Sequence, residues 1–178
     1  SFNPVNAWAA EIKARVGRAT LDWDRETVEK LLPLMAIWNR YFNAEVRDFD
    51  NIPEDGPVLL VGNHSGGPFT PDTTALLHTW YTRRGVDEPL VGLAFDAAFG
   101  LPGFSWILPR LGLLPASQRN AAAALRAGHS VFVYPGGAHE VFRPWTDRNL
   151  IDFGGRKGFV KLALRNGVRV VPVVGHGG

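Results

Sequence analysis

Short apolar runs alternate along this chain with segments whose apolar residues recur at helical spacing. The runs at 58–61, 90–94, 130–134 and 168–174 predict buried strands, because they are short and carry few charges. Residues 71–84, 118–127 and 157–165 have helical patterns, with Ser117 as an N-cap and Gly128 and Gly167 as stops. Residues 95–114 are rich in Gly, Pro and aromatics, which indicates short helices and turns. Strands that alternate with helices predict an α/β fold with a mostly parallel central sheet flanked by helices.

The first 45 residues have a different pattern, which predicts an N-terminal helical pair. The first apolar stripe ends near Gly17, and the second begins near Asp22 or Asp24. Pro33 either kinks the second helix or marks the first turn of a separate one. The stripes comprise Val5, Trp8, Ala9, Ile12 and Val16, and then Leu31, Leu34, Met35, Trp38 and Phe42. These helices could cover the sheet, form an amphipathic lip that touches a membrane or guides a lipid chain, or do both.

We therefore expect an N-terminal helical segment over residues 1–50 and an α/β domain over residues 51–178. The chain stops at Gly178, in a glycine-rich turn just beyond a predicted strand, so we expect it to be a fragment.

Composition narrows the functional classes. The 178 residues are 46% apolar and 20% charged, as in a globular protein of one ordinary domain. A net charge of +2 gives no electrostatic case for nucleic acid, and the absence of cysteine excludes disulfides and thiolate chemistry. No apolar run approaches the ~18 residues that span a bilayer. The six tryptophans and eleven phenylalanines are many for this length, so some could lie at a lipid-facing surface.

Candidate chemistry begins directly after the first predicted strand. A glycine-containing loop there carries His64 and closes on Thr70-Pro71-Asp72, which predicts a helix start with Thr70 as N-cap. Open α/β sheets place their chemistry at the carboxyl ends of the strands. His64 and Asp72 are therefore a candidate base and its orienting partner. In a parallel sheet, the loop after residue 134 emerges at the same edge, so His64 can face Gly136, Gly137, His139 and Glu140 across one crevice.

Three ordered blocks carry a family resemblance. G-N-H-S-G-G-x4-D, Y-P-G-G-A-H-E and V-P-V-V-x-x-G resemble blocks of the glycerolipid acyltransferase superfamily, over roughly residues 57–178. These enzymes esterify glycerol 3-phosphate, lysophospholipids or diacylglycerol from acyl-CoA or acyl carrier protein. The resemblance implies that His64 is the general base and Asp72 its partner. It also implies that residues 134–140 help to bind the acceptor, and that residues 171–173 line the acyl or acceptor cleft.

The chain departs from the family pattern at two positions. The usual spacing is His, four residues, Asp, whereas seven residues separate His64 from Asp72 here, which an inserted Gly-Gly-Pro turn explains. The usual third block reads Pro-Glu-Gly, whereas this chain has Pro135-Gly136-Gly137 and places Glu140 downstream. That version is more like the diacylglycerol-acyltransferase-like branch of the superfamily.

Acyl transfer from a thioester to a hydroxyl requires these residue types. A neutral imidazole can take the hydroxyl proton, and a carboxylate on the other ring nitrogen fixes the tautomer. Backbone N–H groups of Gly66-Gly67 or Gly136-Gly137 could stabilise the tetrahedral oxyanion. No serine nucleophile is needed, because the acceptor hydroxyl itself attacks.

Other interpretations fit the residues less well. His64 alone could be structural, and Asp72 could merely favour the helix dipole. Ser65 does not lie in the G-x-S-x-G context of a hydrolase nucleophile, and the spacing of His64, Asp72, His139 and Glu140 matches no compact metal motif. The segment 154–158 lacks the spacing and the hydroxyl residue of a nucleotide-binding P-loop.

Basic residues that could hold a phosphate or CoA group follow the Pro-Gly-Gly block: Arg143, Arg148, Arg156 and Lys157. They could equally form a solvated basic loop. Together with Glu140, we take Arg143, Arg156 and Lys157 as candidate substrate-binding residues.

The sequence thus predicts a peripheral O-acyltransferase at the cytoplasmic face of a membrane. Its acceptor would be a glycerolipid such as glycerol 3-phosphate or a lysophospholipid. Acyl-CoA or acyl carrier protein would be the co-substrate, with no metal, no other cofactor and no nucleic acid. The alternative is a non-catalytic acyl-lipid or acyl-CoA binding protein on the same scaffold.

Overall fold

The computed structural model describes residues 21–65, 67–101, 103–147 and 149–177. The first predicted helix, Gly66 and Arg148 therefore lie outside the described residues.

Strands and helices alternate along the described chain. The strands are β1 (Val58–Gly62), β2 (Leu90–Ala94), β3 (Leu113–Pro115), β4 (Ser130–Val133) and β5 (Arg169–Val173). The helices are α1 (Arg25–Tyr41), α2 (Pro71–Arg84), α3 (Phe104–Arg110), α4 (Gln118–Arg126), α5 (Ala138–Val141) and α6 (Gly158–Asn166). Single 3-10 turns lie at Phe49–Asn51, Gly67–Phe69, Asp96–Gly100 and Trp145–Asp147.

The five strands form one sheet in the order β3-β2-β4-β1-β5, and every neighbouring pair is parallel. The predicted parallel α/β fold is confirmed. β1 lies between β4 and β5, with Leu60 opposite Phe132 on one side and Val171 on the other. The carboxyl ends of these three strands consequently meet at one edge.

Side-chain alternation in β1 divides the core into two layers. Val58 and Leu60 pack on the side covered by α1 and α2, whereas Leu59 and Val61 pack on the side covered by α4 and α6. Leu59 and Leu60 are completely buried, and burial of a leucine contributes about 1.5–3 kcal/mol. Because both faces are covered, β1 has the continuous apolar sequence from which it was predicted.

One strand prediction needs correction, and one strand was not predicted. Residues 168–174 were expected to form a buried strand, but β5 is an edge strand whose residues are exposed or half-buried. An apolar run predicts a strand but not its place in the sheet, which explains the error. The segment 95–114 contains the short helices expected of it, and β3, which was not predicted, begins at Leu113.

The second N-terminal helix is present as α1, but its buried face differs from the predicted stripe. Val28 and Met35 are buried, whereas Leu34 is 60% exposed. The stripe at 28, 32, 35 and 39 faces the core, since Leu32 also packs against it and Asn39 is buried. The helix continues through Pro33, so the alternative of a separate helix starting there is wrong.

Candidate active site

The loop after β1 turns sharply before it enters α2. The 3-10 turn at Gly67–Phe69 takes up the extra residues between the histidine and the aspartate. Thr70 is the N-cap of α2, as predicted, but it has a left-handed conformation with φ 44° and its side chain makes no capping hydrogen bond. Asp72, in the first turn of α2, accepts a hydrogen bond from the Thr73 N–H at 2.7 Å. The loop therefore folds back so that its two ends meet.

The structure brings His64 and Asp72 together despite their long spacing. His64 Nδ1 lies 3.0 Å from Asp72 Oδ2, and that oxygen also accepts from the Ser65 N–H at 3.0 Å. Both side chains are largely buried. An ionised carboxylate can only accept, so Nδ1 carries the proton in this hydrogen bond, and the lone pair of the neutral ring lies on Nε2.

The surroundings of Asp72 keep it ionised. Burial by itself would raise its pKa, but the hydrogen bonds from His64, Ser65 and Thr73 and the charge on a protonated His64 outweigh that effect. The pKa of Asp72 is therefore lower than its ordinary value. The carboxylate is charged at neutral pH and accepts the hydrogen bond from His64 Nδ1.

Tyr134 forms the support beneath the imidazole. The centroids of the His64 and Tyr134 rings are 3.9 Å apart, with the ring planes tilted by 33°. A Cβ on Gly62 would lie 2.9 Å from Tyr134 Cε1, so the glycine that ends β1 leaves room for this ring. Burial raises the pKa of the Tyr134 hydroxyl far above its ordinary value, which keeps the phenol neutral. Tyr134 belongs to the block implied to bind the acceptor, but its ring packs against the candidate base.

Asn63 connects the His64 loop to the end of β5. Its side-chain amide donates to the Gly175 carbonyl and accepts from the Gly175 N–H, both at 2.9 Å. The side chain is buried, and a Cβ on Gly175 would lie 2.8 Å from the Ser65 hydroxyl. Sequence reasoning missed this residue. A polar amide directly after an apolar strand, together with a glycine shortly after a neighbouring strand, was the signal that could have found it.

The Pro-Gly-Gly turn after β4 faces the same loop. Gly137 has φ 49°, and its N–H donates to the Tyr134 carbonyl, so this amide already has an acceptor. Gly67 also has a positive φ, of 55°. Glu140 is only 3% exposed, and its Oε2 accepts from the His64 N–H at 3.2 Å. Glu140 therefore contacts the backbone of the candidate base.

The candidate basic residues make contacts within the protein. Arg143 donates to the carbonyls of His64 and Leu150, and Arg156 donates to the Gly136 carbonyl at 2.7 Å. Lys157 is exposed at the N-cap of α6. Arg143 and Arg156 therefore hold the loops that surround the histidine.

Two further residues from the sequence analysis, His139 and Ser65, have partners within the protein. His139 pairs through Nε2 with Asp152 at 2.9 Å, in an exposed contact. Ser65 donates its backbone N–H to Asp72. Across the described residues, no three His, Cys, Asp or Glu side chains are grouped as metal ligands.

An apolar cavity of about 230 Å³ opens beside the His64 loop at the β5 edge. Asn63 lines it together with Ile151, Phe153, Phe159, Val170, Pro172 and Val173. Val171 faces the other way, toward the core layer of α1 and α2. Within the described part of the chain, no helix has both the length and the apolar composition needed to cross a bilayer.

Comparison with known proteins identifies relatives of this chain. A human protein named DGAT1/2-independent enzyme synthesizing storage lipids is 31% identical over 154 residues, which cover 85% of this chain and 45% of that protein. Human 2-acylglycerol O-acyltransferase 3 is 35% identical over 154 residues, covering 80% of this chain and 44% of that protein. An uncharacterized protein of Mycobacterium tuberculosis is 32% identical over 140 residues, covering 78% of this chain and 38% of that protein.

The chain thus spans less than half the length of these curated relatives. No solved structure matches it significantly. The model of the Acyltransferase family matches residues 43–175, which include every strand and the whole His64 loop. The chain belongs to the Acyltransferase family.

Proposed function

We propose that this protein is an O-acyltransferase that moves a fatty acyl group from acyl-CoA, or acyl carrier protein, to a hydroxyl of a glycerolipid. The observation that carries the proposal is the buried 3.0 Å contact between His64 Nδ1 and Asp72 Oδ2. It leaves Nε2 as the basic nitrogen of the ring, next to the loops that converge at the end of β1.

The reaction follows from these groups. His64 Nε2 takes the proton of the acceptor hydroxyl while its oxygen attacks the thioester carbonyl, and Asp72 stabilises the resulting imidazolium. The tetrahedral intermediate collapses with cleavage of the C–S bond. The thiolate then leaves and receives the proton from His64, which restores the neutral base. The amides of Gly66, Gly67 and Gly136 are the remaining candidates for oxyanion donors, since the Gly137 N–H is bonded to Tyr134.

A neutral acylglycerol is the acceptor that we place first, ahead of glycerol 3-phosphate or a lysophospholipid. Arg143 and Arg156, two of the candidate basic residues, donate to backbone carbonyls rather than pointing free into a phosphate site. The Pro-Gly-Gly block and the name of the human 2-acylglycerol O-acyltransferase relative support the same choice.

The apolar cavity beside β5 is our candidate for the site of the acyl chain. Its lining is almost entirely apolar, and Asn63, the residue before the base, contributes to its wall. Pro172 and Val173, two of the three residues that the family resemblance implies for the cleft, line the cavity, whereas Val171 packs toward the core layer of α1 and α2.

We further propose that the edge of the sheet formed by the carboxyl ends of the strands rests on the cytoplasmic surface of a membrane. Large apolar side chains project from the loops after three strands: Phe69 after β1, Phe95 after β2 and Phe142 after β4, each at least 66% exposed. Phe69 also contacts Trp38, whose ring packs against Tyr41 and Phe42 at the end of α1. Exposed aromatic clusters of this kind favour a membrane interface.

Flotation with phospholipid vesicles tests this surface. Phe69→Asp should reduce vesicle binding at least fivefold. Leu164→Asp is the matched control, because Leu164 is 78% exposed near the end of α6, at the opposite edge of the sheet. Equal binding by both variants and the unmodified protein would refute the proposed membrane face.

Acyl transfer from labelled long-chain acyl-CoA to a panel of acceptors tests the reaction. The panel comprises monoacylglycerol, diacylglycerol, lysophosphatidic acid and glycerol 3-phosphate. We expect transfer to an acylglycerol, and loss of ~10²–10⁴-fold in His64→Ala. Equal activity in the variant would contradict the role of His64. Binding of acyl-CoA without transfer to any acceptor would favour the non-catalytic alternative.

A further inference from the structure

We infer that Glu140 and Arg143 are positioning residues that clamp the two peptide groups on either side of His64. Glu140 Oε2 accepts from the His64 N–H at 3.2 Å, and Arg143 donates to the His64 carbonyl. This inference rests on the proposed function, since it assigns both residues to the accuracy with which the base is held.

The burial of Glu140 argues against a role in substrate binding. Glu140 is only 3% exposed, and its second oxygen, Oε1, is also buried and has no hydrogen-bond partner among the described residues. A carboxylate that held an acceptor would have to be reached from the crevice. Glu140 instead turns inward to the chain, opposite Asn63, which holds the same loop from the β5 side.

The Pro-Gly-Gly turn leaves room for the Glu140 carboxylate. A Cβ on Gly136 would lie 2.3 Å from Glu140 Cγ and 2.4 Å from its Oε2. These separations are far inside van der Waals contact, so any side chain at position 136 would displace Glu140. We therefore interpret Gly136 as the residue that makes space for the clamp.

Arg143 completes the clamp from the other end of the same short segment. It follows Glu140 by three residues, just beyond α5, and joins the His64 carbonyl to that of Leu150. One segment after β4 thus holds both the N–H and the C=O of His64. Asp72 sets the direction of the ring, and this segment sets the position of the backbone that carries it.

Two variants of Glu140 separate positioning from the other roles that a carboxylate can have. Glu140→Gln retains an oxygen that can accept from the His64 N–H, whereas Glu140→Ala does not. Glu54→Gln, at an exposed glutamate before β1, is the matched control. The readouts are the hydrogen-exchange rate of the His64 amide, measured by NMR, and the kcat and KM for the acceptor.

We expect Glu140→Ala to speed exchange of the His64 amide at least tenfold and to lower kcat by ~10–100-fold with little change in KM, because small misplacement of a base is costly. Glu140→Gln should stay within about threefold of the unmodified protein in both readouts. Unchanged exchange in Glu140→Ala would overturn the clamp. So would a raised KM at constant kcat, which would place Glu140 on the acceptor, or a Gln variant as impaired as Ala, which would mean that the charge is required.

A double-variant cycle tests the part played by Gly136. Gly136→Ala alone should speed exchange of the His64 amide about as much as Glu140→Ala. In the Glu140→Ala background, the added methyl group has room, so it should cause less than a threefold further change. Independent, multiplicative effects would refute the proposed contact. The exchange readout needs no turnover, so it tests the clamp even if the protein transfers no acyl group.

Discussion

Replacing Asp72 with asparagine tests the geometry of the base most sharply, because the two side chains have the same shape and differ in hydrogen bonding. In the protein, Oδ1 of Asp72 accepts from the Thr73 N–H, while Oδ2 accepts from His64 Nδ1 and the Ser65 N–H. Asparagine has only one acceptor oxygen. If that oxygen keeps the Thr73 contact, an NH2 group faces both His64 and Ser65.

The consequence for His64 is a change of tautomer. An NH2 group opposite Nδ1 favours the ring with its proton on Nε2, the nitrogen that accepts the hydroxyl proton in the proposed reaction. We expect kcat to fall by ~10²–10⁴-fold, the range of a general base that has lost its orienting carboxylate. KM for the acceptor should change little, since the ring stays in place against Tyr134.

The same substitution should reduce stability by a bounded amount. The Ser65 N–H loses its acceptor in a mostly buried site, which costs about 1–3 kcal/mol. For a domain of this size, that lowers Tm by about 2–4 °C per kcal/mol. The loss of activity should therefore exceed what unfolding explains at 25 °C.

Steady-state acyl transfer and a thermal melt measure both effects, with Asp87→Asn as the control at an exposed aspartate. The reasoning is refuted if Asp72→Asn keeps its activity within about threefold of the unmodified protein while its Tm falls as expected. In that case the contact would be structural and Nδ1 would need no carboxylate.

Three more predictions concern stability. Burial raises the pKa of Glu140, so the unmodified protein loses stability as the pH rises above the ordinary glutamate value of about 4.3. Glu140→Gln should not show this loss, so denaturant titrations at pH 4 and pH 8 should show that the stability of the variant relative to the unmodified protein rises with pH. The guanidinium of Arg84 donates to two backbone carbonyls and lies 4.6 Å from the Trp80 ring centroid. Arg84→Lys should therefore lower the free energy of unfolding by about 2–3 kcal/mol, and a loss below about 0.5 kcal/mol would contradict the role of the planar group. A Cβ on Gly92 would lie 2.3 Å from Phe132 Cζ, so Gly92→Ala should destabilise the protein by about 1–3 kcal/mol in urea unfolding. An unchanged midpoint of the urea transition would show that the Phe132 ring moves freely.

The elements that sequence reasoning found best are those in which local pattern and burial agree. The bounds of α2 match the predicted helix at 71–84, because Pro71 fixes its start and Gly85 follows its last turn. The edge strand β5 has the same apolar character as the central strand β1, so the pattern could not reveal its exposure. β3 has only three residues, too few to form a recognisable pattern.

In the candidate site, too, the sequence revealed the contacts between residues close in the chain but not those between distant residues. His64 and Asp72 lie eight positions apart in the chain, so a strand end, a glycine turn and a helix start were enough to associate them. The contacts to Glu140 and Gly175 join residues 76 and 112 positions apart, and no local pattern encodes them. For that reason the sequence could not reveal that Glu140 contacts the backbone of His64.

Sheet order gives a physical reason for the order of the three sequence blocks. β1 leads into the loop that carries the proposed base, His64, and its two neighbours in the sheet are β4 and β5. The only strand-end loops that directly flank the His64 loop on this sheet, as far as the chain is described, are the loops of those two strands. They supply Glu140 and Arg143 on one side and Gly175 on the other. β2 is separated from β1 by β4, and its following loop presents Phe95 to solvent instead. The three sequence blocks therefore follow β1, β4 and β5 because the loop that carries His64, after β1, is held from both sides by the loops of the two neighbouring strands.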